Sequence, residues 1–306
     1  MSILNRPQKL GLIQFATGAD KSTNLSRASD FVRQAASSGA SIVVLPECFN
    51  SPYGTQHFSS YAEPIPSPGS TSTSTTVSAD LSPSFIAMSN LAKDLKIHLI
   101  AGSIPESTSD NKIYNTAMIF NPLGELITTH RKIHLFDIDI PGGITFKESD
   151  VLSAGNTPTV FSVPEVGNIG VGICYDVRFP ELAMMAARGK EQDGKDGVFM
   201  MVYPGAFNTT TGPMHWELLA RARAVDNQIY VAMCSPARGE EGKGYPAYGH
   251  TMVVGPKGEV MKELQTEEGV LVVEVVPEKL QEVRRNIPVT TQRRFDVYAD
   301  VSKAKP

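Results

Sequence analysis

Cysteine is scarce: Cys48, Cys174 and Cys234 are the only three in 306 residues. An odd, sparse count builds no disulfide framework and suits a reducing compartment, and the absence of any CxxC spacing argues against a zinc site. Positive charge is not in excess either. Lys and Arg total 28 against 32 Asp and Glu, for a net charge of −4. A dominant nucleic-acid or anionic-membrane role needs a basic face, so both are disfavoured. No apolar run approaches the roughly 20 residues of a membrane-spanning helix. The opening stretch MSILNRPQKL lacks the apolar core of a signal peptide and leaves no room for a long transit peptide. No period of roughly 20 to 50 residues recurs, which excludes a solenoid. What remains is ordinary for a globular enzyme: 41% apolar, 20% charged, mean hydropathy −0.12. No composition shift marks a second domain. The expectation is a single domain over 1–306 in the cytoplasm, with the mitochondrion as the alternative.

What is present is an alternation of short apolar runs with amphipathic stretches. Lys9–Ala16 reads as a strand, and Lys21–Ser38 as a helix with Leu25, Ala28, Phe31, Val32 and Ala35 at helical spacing, stopped by Gly39. Ser41–Leu45 is a wholly apolar strand ended by Pro46-Glu47. The segment 66–83, rich in Ser, Thr and Pro, lacks the apolar content to pack and reads as a mobile surface insertion. Phe85–Lys96 reads as a helix and Ile97–Gly102 as a strand. Tyr114–Asn121 and Glu125–Lys132 form a hairpin across Pro122-Leu123-Gly124. Leu135–Asn156, with Pro141-Gly142-Gly143, is long and irregular, and such loops are usually functional. Further on come a charged turn at Lys190–Asp196, a strand at Val198–Tyr203, a helix at Pro213–Asp226, strands at Ile229–Cys234, Gly249–Val254 and Val270–Val276, and a helix at Pro277–Asn286. A basic, aromatic tail follows from 287, read as packing on its own or a partner subunit. The pattern is a mixed α/β sheet with helices outside.

Chemistry concentrates in Gly167–Leu182, GNIGVGICYDVRFPEL. Apolar residues alternate with glycine up to Cys174, a polar turn follows, and Pro180 opens a helix. A cysteine on a strand-to-helix turn parallels the nucleophile elbow of serine hydrolases, where a helix N-terminus favours the thiolate and any developing oxyanion. Glu47 and Lys132 also end apolar strands, where α/β sheets keep their sites. Taken singly, Cys174 reads as a buried thiol and Glu47 as a solvated loop acid. Together the three make an acyl-transfer site. A carboxylate takes the thiol proton and later deprotonates water, while an ammonium and the backbone N–H of Tyr175 stabilise the oxyanion. His130 and His134 lie four apart in a strand, a spacing that does not gather them on one metal as a helix would. Six histidines are present, none in a recognisable partner motif for Cys174, which disfavours a papain-like hydrolase.

The segments Leu45-Pro46-Glu47, His130-Arg131-Lys132-Ile133-His134 and Gly172-Ile173-Cys174-Tyr175-Asp176, in this order, resemble the nitrilase superfamily of carbon–nitrogen hydrolases, and the resemblance runs from Lys9 to Val301. It implies a four-layer α-β-β-α sandwich, usually dimerised through helices, with Glu47 as base, Lys132 as the oxyanion lysine, Cys174 as nucleophile and Glu148 as a second acid that orients Lys132 or assists water. Within the superfamily the stretches Pro46–Tyr53, His134–Pro141, Tyr203–Asn208 and His215-Trp216 are most similar to the omega-amidase branch. That branch deamidates 2-oxoglutaramate and 2-oxosuccinamate to 2-oxoglutarate or oxaloacetate plus ammonia, and is tied to glutamine metabolism. The alternatives are an amidase of deaminated glutathione, another nitrilase-family amidase, or a non-catalytic binding protein on the same fold, against which the intact Glu-Lys-Cys set speaks. The resemblance implies no cofactor, no metal, a small-molecule amide substrate and a homodimer. A substrate carboxylate needs a cation or several donors. Arg178 is the first candidate, equally readable as a pair with Glu181, and Tyr53 is a candidate lining residue, equally readable as a packed tyrosine.

Overall fold

In the computed structural model, residues 3–74, 78, 80–139, 145–189, 197–239 and 244–303 are described. The charged turn at Lys190–Asp196 and the glycines of Pro141-Gly142-Gly143 lie outside them, as does part of the 66–83 insertion.

Among the described residues fourteen strands form, twelve of them in two six-stranded sheets. The first half runs β1 (Gln8–Gln14), α1 (Lys21–Ser37), β2 (Ile42–Val44), α2 (Thr55–Tyr61), α3 (Pro83–Leu95), β3 (His98–Ser107), β4 (Ile113–Phe120) and β5 (Leu126–Arg131). A ribbon of β6 (Asp137–Asp139) and β7 (Thr145–Lys147) and a 3-10 turn at Glu148–Asp150 break up the stretch expected to be irregular. The second half runs β8 (Thr159–Val163), β9 (Gly167–Val171), a 3-10 turn at Cys174–Arg178, α4 (Pro180–Arg188), β10 (Val198–Pro204), α5 (Thr211–Asn227), β11 (Tyr230–Cys234), β12 (Met252–Val254), β13 (Val260–Glu263), β14 (Gly269–Val275) and α6 (Pro277–Asn286).

The strand orders are β14-β1-β2-β3-β4-β5 and β13-β12-β11-β10-β9-β8. Each sheet has three parallel strands at its centre, β1-β2-β3 or β9-β10-β11, with one antiparallel strand on one side, β14 or β8, and two on the other, β4-β5 or β12-β13. Both halves thus share one plan. The short, wholly buried β2 and β10 are the all-apolar runs that strands covered on both faces require.

The sheets pack face to face. Leu10, Leu12, Ile42, Val44, Ile100 and Ile119 of one sheet join Phe161, Ile169, Val171, Val202 and Val231 of the other in one cluster. On the outer face of the first sheet, Ile13, Val43, Leu99 and Met118 pack against Ala28, Val32, Ala35, Met88 and Leu91 of α1 and α3. Ala183, Ala186, Trp216, Ala220 and Ala224 of α4 and α5 cover the other sheet. The layers are therefore α-β-β-α. α1 comes in close because Gly11 stands opposite Ala35, leaving no room for a Cβ. The expected elements form to within a few residues. Besides the β6-β7 ribbon, α2 and β8 went unread: the polar Thr55–Tyr61 carries little periodicity, and β8 alternates over only five residues.

The Ser/Thr-rich insertion differs from a freely mobile segment in its described part. Gly69 N–H donates to Leu126 O, Leu126 N–H to Ser70 O, and Ser72 N–H to Ser89 Oγ at 2.9 Å, so 69–72 lies along β5 and α3. The tail packs on its own chain: Arg188 makes a bidentate pair with Asp300, and the Phe295 ring lies 4.1 Å from the Arg188 guanidinium.

Candidate active site

Glu47 sits just beyond β2, in the middle of the first sheet. Its position depends on Gly102 in β3. The register of β3 against β4 slips between Ala101 and Ile104, and Gly102 adopts φ +39 where a Cβ would overlap the Pro46 and Leu45 carbonyls. Pro46-Glu47 therefore crosses directly over glycine backbone. The Glu47 carboxylate is buried and fully engaged: Oε1 accepts from Asn115 Nδ2 at 2.8 Å and Lys132 Nζ at 3.2 Å, and Oε2 from the Ala206 N–H at 2.7 Å.

Lys132 follows β5 and is held by its backbone, with Lys132 N–H on Asn115 O and Gly155 N–H on Lys132 O. Its Nζ lies 2.9 Å from each oxygen of Glu148. Burying an ammonium costs several kcal/mol unless it is paired, and two carboxylates meet that need. Burial by itself would lower its pKa, but Glu148 and Glu47 outweigh burial and hold Lys132 charged, well above the usual lysine range. Glu148 also accepts from Tyr53 Oη and from the Phe136 N–H, both at 2.7 Å.

Cys174 closes this cluster from the other sheet. Its φ is +48, a left-handed conformation rare outside glycine and costing on the order of 1–3 kcal/mol. Neighbouring glycines make room for it: a Cβ on Gly205 would sit 3.0 Å from Cys174 Cα, and Gly172 leaves no space against the Tyr203 ring. The Glu47 carboxylate acts on the thiol. Burial, then the Glu47 charge, push its pKa well above the ordinary thiol value, against a smaller opposing pull from Lys132. The turn beginning at Cys174 is a single 3-10 turn, too short for its end to reverse this. The expectation of a thiolate favoured by a helix N-terminus is therefore corrected in direction: burial and the Glu47 charge favour the thiol. Burial also raises Glu47, partly offset by Lys132, which makes it a stronger base for that proton.

A narrow cleft opens onto Cys174, lined by Phe136, Tyr175, Arg178, Ala206, Phe207, Thr211 and Tyr245. As the first residues of a helical turn, Cys174 and Tyr175 have N–H groups with no intrahelical acceptor, so the Tyr175 N–H stands free beside the nucleophile. Arg178 lies in the cleft wall and pairs with no carboxylate among the described residues, Glu181 included. Its Nη1 donates to His215 Nδ1 at 3.0 Å, its guanidinium lies 5.4 and 4.9 Å from the Tyr175 and Phe207 rings, and its buried Nε has no partner. Tyr53 is not in the cleft wall; it packs 4.5 Å from the Tyr245 ring and spends its hydroxyl on Glu148.

The structure thus gathers Glu47, Lys132, Glu148 and Cys174, with Tyr175 and Arg178 at the cleft. Sequence reasoning did not single out Asn115, the Ala206 N–H or Tyr245. Ala206 lay in a quoted stretch without a side chain to draw notice, and nothing in a lone Asn or Tyr marks it. Among the described residues no group of three or more His, Cys, Asp or Glu is arranged to hold a metal.

A buried acid, lysine and thiol at the ends of strands from two packed sheets define a cysteine-dependent hydrolase of carbon–nitrogen bonds. The chain belongs to the carbon–nitrogen hydrolase family, whose model matches residues 9–285. It is 49% identical over 304 residues to "Omega-amidase NIT3" of Saccharomyces cerevisiae, covering 98% of each chain, and 48% identical over 298 residues to "Omega-amidase NIT2" of Homo sapiens, covering 97% of this chain and 99% of that one. The crystal structure of S. cerevisiae Nit3, described as a member of branch 10 of the nitrilase superfamily, superposes with a TM-score of 0.82 at 44% identity, over 96% of this chain and 99% of that one. The α-β-β-α sandwich expected from the resemblance is the fold of this superfamily.

Proposed function

We propose that this chain is an omega-amidase that hydrolyses the side-chain amides of 2-oxoglutaramate and 2-oxosuccinamate to the 2-oxo dicarboxylic acids and ammonia. The observation that carries the reading is Arg178, an arginine without a counter-ion in the wall of the cleft that opens on Cys174. An amide substrate bearing a carboxylate at its far end supplies that counter-ion in bidentate geometry. The small cleft favours a short chain, and the names of the relatives agree.

The chemistry follows from the geometry. Cys174 Sγ attacks the amide carbon as its proton passes to Glu47, and the oxyanion forms against Lys132 and the Tyr175 N–H. The C–N bond breaks, the proton on Glu47 leaves with the nitrogen as ammonia, and a thioester remains. Water, deprotonated by Glu47, then attacks the thioester and restores the thiol. The contacts of Glu148 with Lys132, Tyr53 and Phe136 favour orientation of Lys132 as its role over assistance to water.

The test is ammonia release from 2-oxoglutaramate, 2-oxosuccinamate and deaminated glutathione side by side, with Cys174→Ala as control. Preference for the two short 2-oxo amides, abolished in Cys174→Ala, is the expected result. Preference for deaminated glutathione keeps the mechanism and overturns the substrate, and release that persists in Cys174→Ala overturns the mechanism. Two further features belong to the proposal. A homodimer is supported by the exposed apolar stripe Met214, Leu218 and Val225 on α5. A cytoplasmic location is supported by three unpaired cysteines. No described helix is long and apolar enough to cross a membrane.

A further inference from the structure

Lys132 and Cys174 belong to different sheets, with no backbone ladder between them to fix their separation. Lys132 follows β5, the last strand of its sheet. An oxyanion donor is useful only when its placement is good to a fraction of an ångström, so something must carry register across the gap.

His130 and His134 flank Lys132 at two residues on either side, His130 within β5 and His134 in the bend beyond it. Both reach Asp176, two residues beyond the nucleophile. His134 Nδ1 donates to Asp176 Oδ1 at 2.7 Å and the His134 N–H to the same oxygen at 2.9 Å. His130 Nε2 donates to Oδ2 at 3.1 Å, and the Ile173 N–H to Oδ2 at 2.8 Å. One buried carboxylate thus ties the backbone on the near side of Cys174 to both sides of Lys132. The histidines are held in turn. His130 Nδ1 meets Thr159 Oγ1 at 3.1 Å, and the His134 ring stacks on Phe179 with centroids 3.6 Å apart and 8° between planes. The two imidazoles converge on one carboxylate, that of Asp176.

We propose that Asp176, gripped by His130 and His134, is the positioning residue that sets Lys132 against the nucleophile turn, so that the motifs around Lys132 and Cys174 act as one clamp. The inference rests on the thiol-amidase chemistry proposed above and not on which amide is the substrate. Asp176 touches no reacting atom and acts through Lys132.

The test is a double-mutant cycle of Asp176→Asn and Lys132→Ala, read as kcat and KM on an amide the wild type turns over, and in parallel on acyl transfer from p-nitrophenyl acetate. The second substrate keeps the cycle readable if the omega-amidase reading fails. Asp176→Asn is expected to lower kcat on the order of 10²-fold, the cost of about an ångström of misplacement, with KM little changed because Arg178 is untouched. In the Lys132→Ala background it should cost almost nothing more, since no lysine remains to be placed. Multiplying losses, or wild-type kcat in Asp176→Asn, overturns the proposal. If Asp176→Asn fails to fold, His134→Gln, at a half-exposed site, enters the same cycle with a smaller expected loss and the same criterion.

Discussion

At the scale of residues, burial decides how this site works. Desolvation and the Glu47 charge outweigh Lys132 and push the Cys174 thiol up, and desolvation raises Glu47 as well, which suits it to the proposed role of base. In the proposed mechanism the attack and the proton transfer are therefore coupled, and no standing thiolate is needed. This has a consequence for labelling. Cys174 is 4% exposed in the cleft, whereas Cys48 and Cys234 are 1% and 0% exposed. Iodoacetamide should modify Cys174 first, through access. Because a raised pKa leaves little thiolate at neutral pH, the rate should climb steadily as pH rises above 7. Mass mapping across a pH series checks this; a rate already flat at pH 7 would indicate a low-pKa nucleophile.

At the scale of elements, strands that end in the same gap deliver the chemistry, and glycines let the backbone pass closely where it must. Gly102 is the plainest instance: at φ +39, with the Pro46 carbonyl in the place of a Cβ, an alanine must displace the backbone that carries Glu47. Gly102→Ala is expected to lower stability by more than about 1 kcal/mol and to reduce turnover disproportionately, since Glu47 moves with Pro46. Thermal unfolding and kcat measured together are the check, and wild-type values of both would remove Gly102 from the argument. The element boundaries were largely legible because period-2 and period-3.6 patterns record which face is buried. α2 was not, because its Thr55–Tyr61 sequence buries only Phe58 and so has no stripe to read.

At the scale of the molecule, two halves of one plan pack their sheets together and place the site between them, while α4 and α5 form an outer layer. On α5, Met214, Leu218 and Val225 are 59%, 62% and 48% exposed, an apolar stripe at helical spacing that a monomer has no use for. Leu218→Asp is expected to shift the proposed dimer toward monomer in sedimentation velocity. A wild type that already sediments as a monomer would remove the dimer from the proposal.

The chain by itself determined most strands and helices and pointed to Glu47, Lys132 and Cys174 as candidates, because buried strands and turn residues leave local patterns and these three fall inside specific motifs; Glu148 followed only from the family resemblance. Only the tertiary structure decided what surrounds them. Asn115 and the Ala206 N–H reach Glu47 from positions 68 and 159 residues away, Tyr53 turns from the cleft to Glu148, and His130 and His134 close on Asp176. Each of these depends on which strand ends meet across the two sheets. That juxtaposition is set by long-range packing, and the residues involved carry no mark of it in their own neighbourhood of the sequence.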